Sequence, residues 1–442
     1  MIKTKTFPFG EHTPGMKETA TFPVKVLPPP ERVLLHLSQH KGAPAIATKK
    51  MDDDVLYGDL LAEASGHVSV PIHASISGKI TGFGNFLHPM GSQSSAFLIR
   101  RDPSMPEPAL ETETDLGLTR RSEILQKIKD AGIVGMGGAT FPTHVKLSPP
   151  EEFKIDTVII NGSECEPVLT ADHRSMLEYP DELISGLKIC VAVLKADRGI
   201  IAIEDNKQDA ADLLTAKLEK QPSLQVQLLR TKYPQGSEKH LILACTGRRV
   251  KSGQLPASTG VVVINASTAI AISNAVIRSK PLTERIVTLA GSAVKNPGNY
   301  KVRIGTIISD FIEATGGLKE DITLRKVISG GPMMGFALPS LELPIQKGTA
   351  GILCWTDEEL AIKEETHCIR CARCVRACPM GLDPTYLMKL LKAQQFEKAK
   401  AEKLLDCIEC GACSYTCPAA IPLAQYFVMG KRTLMAQQKN KK

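Results

Sequence analysis

Cys368-Ile-Arg-Cys371-Ala-Arg-Cys374-Val-Arg-Ala-Cys378-Pro379 and Cys407-Ile-Glu-Cys410-Gly-Ala-Cys413-Ser-Tyr-Thr-Cys417-Pro418 are two copies of one pattern, C-x2-C-x2-C-x3-C-P. The close spacing lets three thiolates wrap one cubane iron–sulfur cluster. The fourth cysteine opens the following segment and does not easily turn back. In chains carrying two such runs it ligates the other cluster. This assigns Cys368, Cys371, Cys374 and Cys417 to one [4Fe-4S] cluster. Cys407, Cys410, Cys413 and Cys378 go to a second. Pro379 and Pro418 close the runs and remove a competing backbone N–H. Structural zinc and disulfides are the competing readings. Zinc sites seldom use four cysteines packed so tightly twice over. Eight cysteines in a large chain whose first residues lack an apolar signal core argue against disulfides.

The chain's 442 residues suggest about three domains on the usual length prior. Its 43% hydrophobic and 23% charged residues are ordinary for a globular protein. No apolar run approaches the roughly 20 residues of a membrane span. A cytoplasmic setting is expected, which suits thiolate-bound clusters. Residues 361–442 hold 14 basic and 7 acidic side chains, the whole of the net charge of +7. Arg370, Arg373 and Arg376 punctuate the first cysteine run. They compensate cluster charge locally, and they also suit a docking surface for an acidic partner or anionic lipid. The final Lys439-Asn-Lys441-Lys442 reads as a solvated basic tail. No nucleic-acid module is recognisable, so no nucleic-acid partner is expected. Cys190, Cys245 and Cys354 lie in apolar or small-residue contexts and read as buried hydrophobes.

Taken in order, residues 1–30 are proline-rich and suggest an arm lying over another domain. Residues 31–101 show short alternating stretches broken by glycine, the pattern of a small β barrel or sandwich. His67, His73 and His88 in that region lack a second ligand type at a telling spacing, so no metal is expected there. Residues 102–120 form a Pro/Glu/Thr-rich boundary. Arg121–Gly132 reads as a helix with Ser122 as N-cap, Ile124, Leu125 and Ile128 as buried stripe, and Gly132 as stop.

Gly135-Met-Gly137-Gly138-Ala-Thr-Phe141-Pro-Thr-His-Val-Lys146 follows directly. Glycines at these positions let backbone N–H groups face an anion without an intervening side chain. Lys146 is placed to reach a phosphate. The apolar strand 155–160 then runs into Asn161-Gly-Ser163-Glu164-Cys165-Glu166-Pro167. Polar residues at the carboxyl end of a parallel strand are where α/β sheets bind nucleotides. Further strands and helices alternate to residue 279, as in a Rossmann-like parallel sheet.

The order GxGGAxFPTxxK, NxxExEP, the Gly236-Ser-Glu238 turn and VxNxxT resembles the flavin-binding subunit of respiratory complex I. Residues 31–101 resemble a biotinyl/lipoyl-type hybrid domain without a recognisable cofactor-bearing lysine turn. Residues 280–325 resemble a ubiquitin-like SLBB domain, and the cysteine runs a two-cluster ferredoxin. The whole chain resembles the RnfC family, a component of the Rnf membrane-associated electron transport complex. The resemblance implies an α/β multidomain protein. It comprises an N-terminal arm (1–30), a β hybrid-type domain (31–101), a Rossmann-like FMN/NADH domain (121–279) and an SLBB domain (280–325). A linker (326–356), an α-helical two-[4Fe-4S] ferredoxin domain (357–430) and a basic tail (431–442) complete it.

The same resemblance implies non-covalent FMN held by Gly135, Gly137, Gly138, Lys146, Asn161, Ser163, Glu164, Gly236, Glu238, Asn265, Ser267 and Thr268. Phe141, Lys146 and Glu166 would help hold NADH. Ser163 stands where complex I has an acid, and Pro149 where it has an aromatic. No separate catalytic side chain is expected, because hydride passes directly to the flavin. A flavin converts an electron pair into single steps that cubanes accept. The function implied is an NADH-linked oxidoreductase component, peripheral on the cytoplasmic side of the cell membrane. Its partners would be the membrane Rnf subunits, which couple electron flow to ion transport, and a ferredoxin or ferredoxin-like protein. Two other readings stay open: a microcompartment cobalamin reductase of the same domain order, and an electron-transfer scaffold without NADH binding.

Overall fold

The computed structural model describes residues 3–109, 120–360 and 363–439. Apolar runs without polar alternation suit parallel strands covered on both faces. Four such strands make one parallel sheet, in the order Leu224–Leu229, Arg198–Glu204, Thr157–Gly162, Val261–Asn265. Val158, Ile159, Ile160, Ile201 and Ile203 are fully buried within it. Helices Pro180–Leu194, Gln208–Leu218, Glu238–Thr246 and Ala266–Arg278 connect the strands and cover the sheet. The chain walks outward from Thr157–Gly162, then returns to the sheet on that strand's other side. Asn161 and Asn265 are paired across this reversal. Crevices open outside the carboxyl ends of strands at such a point.

Helix Arg121–Asp130 leads into the glycine loop. Ser122 lies inside it and is not the cap: the Glu123 carboxylate accepts the Arg120 N–H at 3.1 Å instead. Gly132, at φ +67°, ends the turn as expected.

Ahead of this domain, strands Arg32–His36, Gln93–Arg101, Gly78–Leu87 and Asp54–Val55 form one antiparallel sheet. Ile46–Ala47, Leu60–Glu63 and Ile72–His73 form another. Val33, Leu35, Leu61, Ile72, Ile80 and Phe97 share one apolar core between them. Lys79, the lysine of the Ser77-Gly-Lys-Ile80 stretch, lies in a strand and not in a turn. Of residues 102–120, positions 110–119 lie outside the described residues. The N-terminal segment crosses several domains. Lys5 bridges to Leu229, Phe7 is 2% exposed, and Lys25–Val26 pairs with Tyr300–Lys301.

Residues 326–356 are not a linker. Lys326–Ser329, Phe336–Ala337 and Gly351–Trp355 join Glu284–Ala290 and Gly298–Arg303 in a six-stranded sheet. Glycine density suggested irregular chain there, but buried Ile328, Ile352, Leu353 and Cys354 drive strand pairing. The cysteine-rich domain is helical, and Leu423–Lys439 is its last helix. Residues 431–439 are therefore helix rather than tail. Leu434, 1% exposed, anchors them to the domain core. Residues 440–442 lie outside the described residues. Among the described residues no helix is long and apolar enough to cross a membrane.

Candidate functional site

The glycine loop closes on itself through the Gly135 N–H, which donates to the Phe141 carbonyl at 2.9 Å. Its other side is pinned by the Met136 N–H donating to the Thr268 hydroxyl at 2.9 Å. A Cβ on Gly137 would lie 2.8 Å from Asn265 Nδ2, so a larger residue there would displace the Asn265 side chain. A Cβ on Gly138 would meet nothing within 4 Å. The loop thus lines open space with bare backbone.

Around it stand the other expected residues. Asn265 caps helix Ala266–Arg278, its Oδ1 accepting from the Thr268 N–H at 3.2 Å. Asn161 donates to the Gly236 carbonyl at 2.8 Å and accepts from the Ser163 N–H at 3.1 Å. Lys146 ends the short helix Thr143–Lys146 and pairs with Glu238 at 2.7 Å. Ser163 is fully buried, and its hydroxyl has no partner. A buried polar group left free marks a place that a ligand completes. Open space beside bare glycine backbone, a cation held near it by Glu238 and an unpartnered buried hydroxyl fit a flavin mononucleotide and its phosphate.

Two expected contacts are placed otherwise. The Glu164 carboxylate accepts from Asp172 N–H at 2.7 Å and His173 N–H at 3.1 Å, at the start of helix Ala171–Glu178. Burial raises its pKa, and those amides and the Lys17 cation oppose the rise. Glu166 accepts from the Met333 and Met334 N–H groups, both at 2.9 Å. Its carboxylate ties the flavin domain to the Gly330–Gly335 turn instead of facing a dinucleotide. Phe141 remains half-buried beside the loop.

Several residues without a sequence signal complete the cradle. Asp172 accepts from Asn265 Nδ2 and from the Ser267 hydroxyl, each at 2.6 Å. It fixes the position of both. Lys17, from the N-terminal segment, donates to the carbonyls of Glu164, Glu166 and Leu169. Burial lowers its pKa. Lys207, 2% exposed, donates to the Ser163 carbonyl at 2.6 Å and pairs with buried Glu204 at 3.3 Å. Arg285 lies buried beneath the loop, donating to the Thr349 carbonyl, and burial lowers its pKa to about 10. Nothing local in the sequence marks these four, because each acts across a long chain separation.

The cysteines fall into two sets. Cys368, Cys371, Cys374 and Cys417 line one recess with Thr385, Met388 and Ile421. Cys378 instead faces Cys407, Cys410 and Cys413: burial raises the pKa of these three thiols, and repulsion among the four adds to it. The fourth cysteine of each run thus lies with the first three of the other run. Both runs carry the same backbone device: Arg370 and Ala372 in the first, and Glu409 and Gly411 in the second, all have φ between +58° and +77°. The left-handed residues curl each loop and turn N–H groups inward, so that Glu409 N–H meets Cys407 Sγ at 3.4 Å. Leu382 N–H likewise meets Cys378 Sγ at 3.4 Å. Hydrogen bonds to sulfur are among the levers on a cluster's potential. Both donor sets fit cubane clusters.

The two sets differ in exposure. Ile369, Arg370, Arg373 and Arg376 around the first are exposed or half-exposed. The second lies against the flavin domain. Tyr233 donates its hydroxyl to the Cys410 carbonyl at 2.7 Å, and His240 Nε2 meets the Pro379 carbonyl at 3.0 Å.

Comparisons with known proteins agree with this layout. The RnfC barrel sandwich hybrid domain matches residues 5–104 and the Nuo51 FMN-binding domain residues 128–274. The SLBB domain matches 286–337, and a 4Fe-4S dicluster domain 360–418. Fold and site thus define an electron-transfer protein with an FMN-binding domain and a 4Fe-4S domain. The C subunit of the proton-translocating ferredoxin:NAD(+) oxidoreductase complex of Clostridium ljungdahlii is 45% identical, over 91% of this chain and 88% of that one. The C subunit of the Na(+)-translocating complex of Acetobacterium woodii is 41% identical over 99% of both. The chain belongs to the RnfC family, the C subunits of these ion-translocating oxidoreductase complexes. A solved NAD+-reducing [NiFe]-hydrogenase shares the fold, with a TM-score of 0.50 and 22% identity, over 72% of this chain and 61% of that one.

Proposed function

We propose that this protein passes electrons between NAD(H), FMN and two [4Fe-4S] clusters. It would work as a peripheral part of a membrane-bound complex, on the cytoplasmic side, whose other subunits couple the flow to ion transport. FMN, when bound, supplies the exchange between an electron pair and single electrons. The bare N–H groups at Gly137 and Gly138, with Lys146, would hold its phosphate, in the loop that Gly135 closes. Asn161, Ser163, Asn265 and Ser267 would orient it, with Asp172 fixing the last two. Phe141 would offer its ring to the dinucleotide. Cys378, Cys407, Cys410 and Cys413 would hold the inner cluster, beside the flavin domain. Cys368, Cys371, Cys374 and Cys417 would hold the outer one. The arginines around the outer set suit an acidic redox partner such as a ferredoxin-like protein.

One observation carries this reading: the segment from Tyr233 to His240 touches both halves. Gly236 and Glu238 contact Asn161 and Lys146, while Tyr233 and His240 contact the loops of the inner thiol set. Anaerobic reconstitution followed by flavin, iron and sulfide assays and NADH titration tests it. FMN and cubane iron with bleaching of the flavin by NADH is the expected outcome. Zinc in place of sulfide, or flavin that NADH leaves oxidised, would contradict it, the latter favouring a scaffold without dinucleotide chemistry.

A further inference from the structure

The segment Tyr233-Pro-Gln-Gly-Ser-Glu-Lys-His240 reaches the inner thiol set from two sides. Tyr233 is 1% exposed, and its hydroxyl donates to the carbonyl of Cys410. Its ring packs with Ala377, Cys410 and Ala412, so both cysteine runs meet it. His240 is 5% exposed. Since the Pro379 carbonyl only accepts, His240 Nε2 carries the hydrogen. Nδ1 then accepts from the Ser237 hydroxyl at 3.0 Å. Pro379 follows Cys378, the exchanged ligand. Each run therefore has one carbonyl beside an inner-set cysteine bound by a side chain of the flavin domain. The outer set has no such contact among the described hydrogen bonds, apart from Arg376 to the Cys371 carbonyl at 3.5 Å within its own loop. Gly411 adds to the fit: a Cβ there would lie 3.0 Å from the Met333 carbonyl.

We propose that Tyr233 and His240 are positioning residues for the inner cluster. They hold Cys410 and Cys378 at a fixed place against the flavin domain and set that cluster's potential apart from its partner's. The proposal rests on the cluster assignment above and goes beyond it. Both side chains point the positive end of an O–H or N–H dipole toward the cluster loops. Such a dipole favours the reduced, more negative state, and burial makes it effective. The same eight residues hold Asn161 and Lys146, so flavin cradle and inner cluster keep one spacing.

Tyr233→Phe removes the hydroxyl alone, and His240→Phe keeps a ring but removes the other donor. Both are made in the full chain, reconstituted with iron and sulfide. Redox titration followed by electron paramagnetic resonance reads each cluster. Cys371→Ala and Cys407→Ala forms, each lacking one cluster, assign the signals. In Tyr233→Phe the inner midpoint should move to a more negative potential, with the outer midpoint and FMN content unmoved. His240→Phe should move the same signal in the same direction, and selective loss of the inner cluster in either variant supports the same conclusion. Unmoved inner midpoints in both variants, equal displacement of both clusters, or loss of both clusters together would overturn it. A wild type that holds clusters but no flavin defeats the proposed function instead, and leaves this comparison intact.

Discussion

Glu166 Oε2 accepts the backbone N–H of Met333 at 2.9 Å, joining the flavin loop to a turn beyond the SLBB-like hairpin. Met334 N–H binds the other oxygen. Burial raises the Glu166 pKa, and these two amides hold it down. Glu166→Ala leaves those donors without their acceptor, at a cost of about 1–3 kcal/mol. We expect an earlier melting transition of the domain built on the six-stranded sheet, read by calorimetry. The Michaelis constant for NADH should stay within about twofold in the flavin-loaded protein, a change of under 1.4 kcal/mol. A rise of about tenfold with unchanged melting would return Glu166 to the dinucleotide site.

Asp172 has a different role. It carries Asn265 and Ser267, so Asp172→Ala frees both from their bearings. Loss of two short hydrogen bonds to a carboxylate is worth about 1.5–3 kcal/mol each where partly buried. FMN affinity should fall by about tenfold or more, at roughly 1.4 kcal/mol per decade. Fluorescence titration of the apoprotein measures it, and an unchanged dissociation constant refutes the assignment.

Gly137 and Gly138 are separable. Gly137→Ala pushes a methyl against Asn265 and should lower both stability and flavin retention. Gly138→Ala meets only open space, so melting should not change while FMN is lost. If Gly138→Ala binds FMN normally, the phosphate lies elsewhere.

The hybrid-type domain should be the acid-labile part. Burial lowers the pKa of His36 and His40 to about 4 and that of His73 to about 3, with His88 and Lys347 adding repulsion. All three lie below the ordinary value of about 6.5, so the unfolded chain takes up protons that the folded one refuses. Their stability contribution is present above a pH of about 6.5 and is lost as pH falls toward about 4. The slope is on the order of 1 kcal/mol per pH unit for each histidine. The opening free energies that hydrogen exchange reports for residues 32–101 should fall between about pH 7 and 5 more than those for residues 373–430. Equal change in both regions contradicts this.

The cysteine runs were legible because their ligands are close in sequence and doubled. The glycine loop and strand 157–162 were legible because apolar runs and turn residues act locally. The sheet reversal pairing Asn161 with Asn265 follows from strand order, which alternation only hints at. Lys17, Asp172, Lys207 and Arg285 were not legible. Each is a charged residue in ordinary local context whose contact to the site lies far along the chain; Lys207 pairs locally with Glu204, but reaches the Ser163 carbonyl 44 residues away. Residues 326–356 misled for the opposite reason: glycines that suggest a linker here permit close strand packing, as at Gly351, whose Cβ would lie 2.3 Å from Leu169.

Rapid mixing of the reconstituted protein with NADH tests the relay most directly. Flavin absorbance and freeze-quenched paramagnetic resonance are read together, with the flavin-free Gly138→Ala form as control. Flavin bleaching should come first and cluster signals after it. The control should keep both clusters yet show no reduction by NADH. Cluster reduction by NADH at an undiminished rate in the flavin-free form would contradict the account.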